Sequence, residues 1–308
     1  RTTGTPASRA ARDAGVPVVL AGEGSDEVFI GYRSWLRMRD AERWNGLLPD
    51  LPGRLLRRGA ASLAASSLSW LSPHVEVMRR AAAGEPLFWG GAMEFGEGAK
   101  ARLLGPAVAR TGASTYEAVV RPLRSAFEAR GDARDLTAWM TYIDLRFRLP
   151  QLMLPRLDKM GMAFGVEGRV PYLDHRLIEF VVGLPPDWRG ARDKEGKALF
   201  KSVAERELPR EFVRRKKRGF RAPVAEWKHQ AFGKKYLADL QRFAARTGLF
   251  DCAAIKALAA TRGDRLYFSL VNFMLWYCLF IEDVLDSGVR ERVGASRRSV
   301  GAKDLVAL

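Results

Sequence analysis

The sequence predicts an α/β protein in which part of a parallel sheet is followed by a large, predominantly helical body. Three observations carry this. A short apolar run with β-branched residues, Val18-Val19-Leu20-Ala21, follows a helical stretch and a Gly15-Val16-Pro17 break, the cadence of helix, tight turn and buried strand in a parallel unit. A polar, glycine-rich loop leaves that strand, where open α/β sheets place their ligands. Nearly everything downstream then carries helical periodicity and Pro-Gly punctuation. With 308 residues, 47% of them hydrophobic, the chain can bury a sizeable core, and a disordered or disulfide-stapled class is excluded.

In chain order, Ala7 to Ala14 is the first expected helix and Val18 to Ala21 the strand. Helices are then expected at Arg33 to Trp44, Leu51 to Leu71, Tyr116 to Arg130 and Leu136 to Leu149. Further ones follow at Ile178 to Val182, Lys197 to Glu207, Gln230 to Thr247, Cys252 to Ala260 and Leu266 to Leu285. Gly84 to Gly98, with five glycines, reads as a loop. The basic end of the chain, 286–308, has few large apolar residues and reads as a partly disordered tail.

Charge and cysteine content narrow the function classes. Lys and Arg total 51 against 35 Asp and Glu, a formal charge of +16, which would suit nucleic acid, an anionic membrane or phosphorylated small molecules. The basic residues are spread along the chain, so a basic surface with one anion-handling site is favoured, with no nucleic-acid partner. Two cysteines, Cys252 and Cys278, cannot staple a fold of this size, and a reducing, cytoplasmic setting follows as the expectation. The longest uncharged run, Leu266 to Ile281, has 16 residues, short of the ~18–20 that span a bilayer. It reads as a buried helix, with no membrane partner.

Three clusters hold the residues of chemical interest. Gly22-Glu23-Gly24-Ser25-Asp26-Glu27 sets three carboxylates around two glycines. Glycines expose backbone N–H groups to an anion, an Asp there suits Mg²⁺ on phosphate oxygens, and Glu23 is a candidate general base. An acidic cap for the following helix is the plain structural alternative. The Walker and dinucleotide spacings are both absent. The second cluster, with Arg156, Asp158, Lys159, Glu167, Arg169 and Asp174, reads as an internal ion network in apolar surroundings. The third, Arg214-Arg215-Lys216-Lys217-Arg218-Gly219-Phe220, is a solvated face, a nucleic-acid patch or a phosphate clamp. Composition does not rank these. The three histidines have no zinc-ligand spacing.

The order of these motifs adds a resemblance. Val18 to Tyr32 resembles the second nucleotide-site motif of the asparagine synthetase family. Leu154 to Met162 with Glu167-Gly168-Arg169-Val170-Pro171-Tyr172-Leu173-Asp174-His175 resembles its helix-and-loop motif, and Arg215 to Phe220 its late basic loop. The closing helix around Trp276 is also similar. The resemblance spans nearly the whole chain. It implies the carboxy-terminal synthetase domain, a partial ATP-pyrophosphatase-type parallel sheet with a helical extension, over 1–285.

The implied chemistry is ATP- and Mg²⁺-dependent adenylation of a carboxylate, loss of pyrophosphate, and attack by ammonia or an amine to give an amide. The implied substrate is aspartate or a relative, with glutamine as nitrogen source in the intact parent. β-Lactam- or lasso-peptide-type cyclisation and an inactive truncated paralogue acting as a binding or scaffold protein are the alternatives. The resemblance makes Asp26 a Mg²⁺–pyrophosphate ligand and puts Glu23 beside the reacting carbonyl. Gly22, Gly24 and Ser25 would line the nucleotide pocket, and Lys217 would steady the departing pyrophosphate. Asp158, Glu167, Arg169, Asp174 and Arg215 stand as a substrate or structural network.

Ile30 replaces a usual glycine, which is expected to add bulk near the site and to report a different substrate. Gly168 replaces a common alanine, a neutral change. The family's first phosphate loop, Ser-Gly-Gly-x-Asp-Ser, and its glutamine-splitting cysteine are not found in the 308 residues. Upstream regions of a longer parent are expected to supply both, so this fragment alone is expected to be inactive. A homodimer is a further expectation.

Overall fold

The computed structural model describes residues 4–46, 72–109, 114–130, 135–189, 194–215, 231–261 and 264–282, with single positions at 59, 112 and 226. The expected helix at Leu51 to Leu71 and the basic tail fall outside this set, except for Gly59, which is helical.

Val18–Leu20 forms strand β1, reached through the Gly4–Asp13 helix. Its partner is β2, Glu167–Arg169, within the segment expected to be an ion network. The two run parallel, with Val18 opposite Glu167, Val19 opposite Gly168 and Leu20 opposite Arg169. Among the described residues these are the two strands of the sheet. Three charged-or-glycine residues give β2 little intrinsic strand signal, which is why pattern alone missed it. Val19 and Gly168 share one face, and a Cβ at Gly168 would come within 3.0 Å of Leu157 of the Leu154–Met162 helix. That helix packs on β2 and on the Gly4–Asp13 helix. On the opposite face Leu20 is 75% exposed.

Most of the remaining described residues are helical, as expected, and among them three apolar clusters form. One joins the Glu97–Leu103, Ala231–Thr247, Cys252–Ala260 and Asp264–Phe280 helices through Leu103, Leu240, Ile255, Leu258 and Leu270. The expected loop at 84–98 therefore ends in a helix. A second gathers Trp35, Phe88, Trp89, Phe127, Trp139 and Ile143. The third, Val28, Phe29 and Val181 with Tyr172 and Phe200 against them, lies under the loop that leaves β1. Between Asp144 and Met153 the backbone winds as a π-helix with Pro150 inside it. Proline has no N–H to donate, which favours such a local departure from α winding.

Ile30 corrects an expectation. It is 2% exposed and belongs to the Trp35 cluster, so its bulk is taken up by the core instead of projecting against the acidic loop. Its φ is 54°, a left-handed conformation that costs a β-branched residue about 1–2 kcal/mol. Ile30→Gly would remove that strain but open a cavity where comparable truncations cost about 2–5 kcal/mol. A net loss of about 2 kcal/mol in urea unfolding is expected from these opposing terms. A gain in stability would show that strain outweighs packing.

Candidate functional site

The acidic loop leaves the carboxyl end of β1 and enters a one-turn helix, Ser25–Val28. Gly24 stands at φ 89° before it, a conformation open to glycine at little cost. The Ser25 hydroxyl donates to Gly22 O at 2.7 Å, closing the loop on itself. Tyr172 and Leu173 of the second motif pack against this region. The Leu173 side chain fills the space where a Gly24 Cβ would stand, and the Tyr172 ring meets Phe200 at 5.3 Å. Two segments far apart in sequence are thus brought to one strand end.

A third segment supplies a cation that sequence reasoning missed. Lys197 precedes the Ala198–Ala204 helix in a left-handed conformation, φ 60°. Its N–H donates to Phe29 O at 3.1 Å. From there its ammonium reaches Asp26 Oδ1 at 2.8 Å and donates to Ser25 Oγ at 2.9 Å. Asp26 and Lys197 side chains remain 24% and 21% exposed, so the pair is accessible to a ligand. Gly31 packs against both, and a Cβ there would overlap the Asp26 carboxylate and the Lys197 chain. The nearest sequence signal was Gly196-Lys197 at a helix start, which carries no charge-site meaning by itself.

The carboxylates of the loop have three different fates; Asp26 and Glu27 lie in the first turn of the Ser25–Val28 helix, as the helix-cap alternative expects, but no side chain caps it. Asp26 holds Lys197. Glu23 is partly buried. Burial raises its pKa, opposed by the positive field of Arg156 and reinforced by the negative charges of Glu27 and Asp26. Glu27 is 1% exposed, accepts the Tyr32 phenol at 2.7 Å and lies 3.8 Å from Arg148 Nη1.

Arg148 also faces Asp144, fully buried, at 3.5 Å. The Asp144 pKa is pushed up to about 6 by burial, against the Gly91 N–H and Arg148, which lower it. Folding thus tightens proton binding at Asp144. The stability this gives is complete below the unfolded pKa and lost as pH rises through about 6. A rise from the ordinary aspartate value to about 6 corresponds to about 3 kcal/mol. The stability difference between the wild type and Asp144→Asn should fall by that amount from about pH 4 to pH 7. Parallel pH curves for the two proteins would refute the assignment.

The expected second cluster is not an internal network. Glu167 and Arg169 pair with each other at 3.0 Å with about 60% of each side chain exposed, because β2 turns both toward the uncovered face. Asp158 is exposed. Asp174 caps the His175–Gly183 helix by accepting the Arg176 N–H and pairs with the Arg176 guanidinium at 2.8 Å, which holds it below the usual carboxylate range. Ion pairing against the core occurs elsewhere, in Arg80–Glu76, in Arg189–Asp135 and, next to the acidic loop, in the Glu27, Tyr32, Asp144 and Arg148 network. The i,i+4 spacing of Asp144 and Arg148 was the available signal.

Arg215 is exposed, its guanidinium 4.5 Å from the Phe212 ring. Lys217 lies outside the described residues. Arg214, at the root of the basic loop, pairs with Glu195 at 3.1 Å and also with Glu205, beside the segment that carries Lys197. Both cysteines are free. Among the described residues no cluster of three metal-ligating side chains occurs and no helix is long and apolar enough to cross a membrane.

A carboxylate, a hydroxyl and an ammonium thus meet at the end of a parallel strand, beside a partly buried glutamate. Comparison with known families agrees with the motif order. The asparagine synthase family model matches residues 5–278, and the chain belongs to that family. A putative glutamine-hydrolyzing asparagine synthetase of Mycobacterium tuberculosis (strain ATCC 25618 / H37Rv) is 28% identical over 279 residues, 87% of this chain and 40% of the relative. Glutamine-hydrolyzing asparagine synthetase 1 of Bacillus subtilis (strain 168) is 25% identical over 275 residues, 87% of this chain and 41% of the relative. The enzyme of Rattus norvegicus is 36% identical over 86 residues, 27% of this chain and 15% of the relative. The chain therefore spans about two fifths of the first two relatives. No solved structure matches it.

Proposed function

We propose that this chain is the carboxy-terminal part of an ATP-dependent amide-forming ligase, with aspartate or a related acid as carboxylate substrate. In the whole protein, ATP adenylates the acid, pyrophosphate leaves, and ammonia or an amine attacks the acyl-adenylate to release AMP. Glutamine hydrolysis and the first phosphate loop would be supplied by sequence outside these 308 residues. The observation that carries the reading is the Lys197–Asp26–Ser25 constellation at the end of β1, next to Glu23.

Asp26 offers the hard oxygen that Mg²⁺ accepts. One protein carboxylate is enough when the ion arrives on substrate phosphates, because Mg²⁺ is commonly held by one or two carboxylates plus phosphate and water. When bound, Mg²⁺ would neutralise phosphate charge. Lys197 is placed to do the same from the protein side, and Ser25 can donate to a phosphate oxygen when it turns from Gly22 O. Glu23, with its proton affinity raised by burial, suits removal of a proton from the attacking amine.

The test is exchange of labelled pyrophosphate into ATP by the whole protein, with and without aspartate. Aspartate-dependent exchange supports the reading. Exchange that ignores every carboxylate offered, in a protein that binds ATP, opposes it.

A further inference from the structure

The buried ion network next to the acidic loop has a feature that packing alone does not require. A guanidinium has five N–H donors in a planar fork. Arg148, 17% exposed, has one long hydrogen bond, to Asp144 at 3.5 Å, a 3.8 Å approach to Glu27, and the Tyr32 ring at 4.5 Å. Its Nε is buried with no hydrogen-bond partner. The residue is thus shared among three groups and optimised for none. The three come from two pieces of chain, Glu27 and Tyr32 from the acidic loop and Asp144 from the Asp144–Met153 helix.

Asp144 accepts the Gly91 N–H at 2.7 Å, which fastens the Gly90–Gly91 turn. Glu27 is in the one-turn helix beside Asp26, and its backbone carbonyl accepts the Thr141 hydroxyl at 2.9 Å. Tyr32 closes the same loop by donating to Glu27. The turn approaches so closely that a Cβ on Gly91 would lie 2.6 Å from Arg148 Nη1 and 2.7 Å from Asp144 Oδ2. Two buried carboxylates this close to one another would repel without the cation between them.

We propose that Arg148 is the positioning residue that couples the Gly90–Gly91 turn to the acidic loop, so that Asp26 and Glu23 are held at the end of β1 only while the guanidinium bridges Asp144 and Glu27. Its importance for catalysis rests on the ligase reading, but the coupling itself does not. Arg148 touches no substrate in this account and acts through Glu27. Its positive field also reaches Glu23, where it opposes the upward shift.

Hydrogen–deuterium exchange on the full chain tests the coupling, read on peptides covering 22–32 and 87–93. In Arg148→Met both segments should exchange about tenfold faster together, the opening free energy falling by about 1.4 kcal/mol. Leu258→Ala, in the separate cluster around Ile255, supplies a control with general destabilisation. Arg148→Lys keeps the charge but not the fork and should restore most of the protection. Gly91→Ala leaves Arg148 chemically intact but displaces its guanidinium, and should loosen both segments as Arg148→Met does. If Arg148→Met does not fold, the Lys and Gly91→Ala variants decide the matter.

Loosening of 87–93 without 22–32, or loosening no different from the Leu258→Ala pattern, overturns the proposal. Adding MgATP to the whole wild-type protein, with the upstream sequence present, separates the two readings. No added protection of 22–32 counts against the nucleotide site, whereas the coupling stands or falls on the variants alone.

Discussion

Lys197→Met is expected to lower carboxylate-dependent pyrophosphate–ATP exchange in the whole protein about 100-fold, and Asp26→Asn by a similar factor. The ammonium is 2.8 Å from the Asp26 carboxylate and bonded to Ser25, so under the proposed reading it would be fixed beside the phosphate oxygens on which negative charge builds as the α–β phosphate bond breaks. Methionine keeps the length of the chain and removes the charge. Loss of one preorganised electrostatic partner of a transition state is worth about 3 kcal/mol. Asparagine is nearly isosteric with Asp26 but is a poorer ligand for a hard cation. Because the two residues touch, their losses should not add, and the double variant should be little worse than either single one. Strict additivity would mean that they act on separate steps. Exchange within a few-fold of wild type in Lys197→Met would remove Lys197 from the site and leave Lys217 as the remaining candidate cation.

What was legible in the sequence was local. Val18 to Leu20 announced itself through β-branched, continuous hydrophobicity, and the Gly-rich turn after it marked the strand end. The helices from Arg33, Ala231 and Cys252 followed from their apolar spacing. β2 was hidden because Glu167-Gly168-Arg169 gains its extended form from pairing with β1 and from Leu157 beneath Gly168, neither of which is encoded within three residues. Glu167 and Arg169 looked like members of a buried network because sequence proximity of charges does not reveal which face of a strand is covered.

The candidate site divides the same way. Glu23, Ser25 and Asp26 were recognisable from one continuous motif. Lys197 is 171 positions after Asp26 in the chain, and it reaches the loop only because its backbone N–H is anchored on Phe29 O and Phe200 packs 5.2 Å from the Phe29 ring. Arg148 was concealed within a stretch that reads as an ordinary helix, and its guanidinium comes 3.8 Å from Glu27. In both cases a long-range contact decides the role, and no local pattern carries that information.

Glu23→Gln should separate the two halves of the proposed reaction. Glu23 is partly buried, and its carboxyl holds a proton more tightly than an exposed one because burial disfavours the charged form. A base tuned upward toward the working pH transfers protons more effectively than an ordinary carboxylate. If it accepts the proton of the attacking amine, adenylation does not need it. Aspartate-dependent pyrophosphate exchange should then stay near the wild-type rate while amide formation falls about 100-fold, the usual scale for loss of a positioned general base.

The amide-forming limb of the pH profile gives the second readout. In the wild type, that rate should rise with pH through the elevated Glu23 pKa as the carboxylate is released, and this limb should vanish in the Gln variant. Glutamine preserves shape and one hydrogen-bonding oxygen, so a role confined to packing would leave both activities intact. A parallel fall in exchange and amide synthesis would instead place Glu23 in nucleotide binding or in the adenylation step. Retention of the pH limb in Glu23→Gln would assign the proton to another group, and Glu27, buried against Tyr32 and Arg148, is too enclosed to take it.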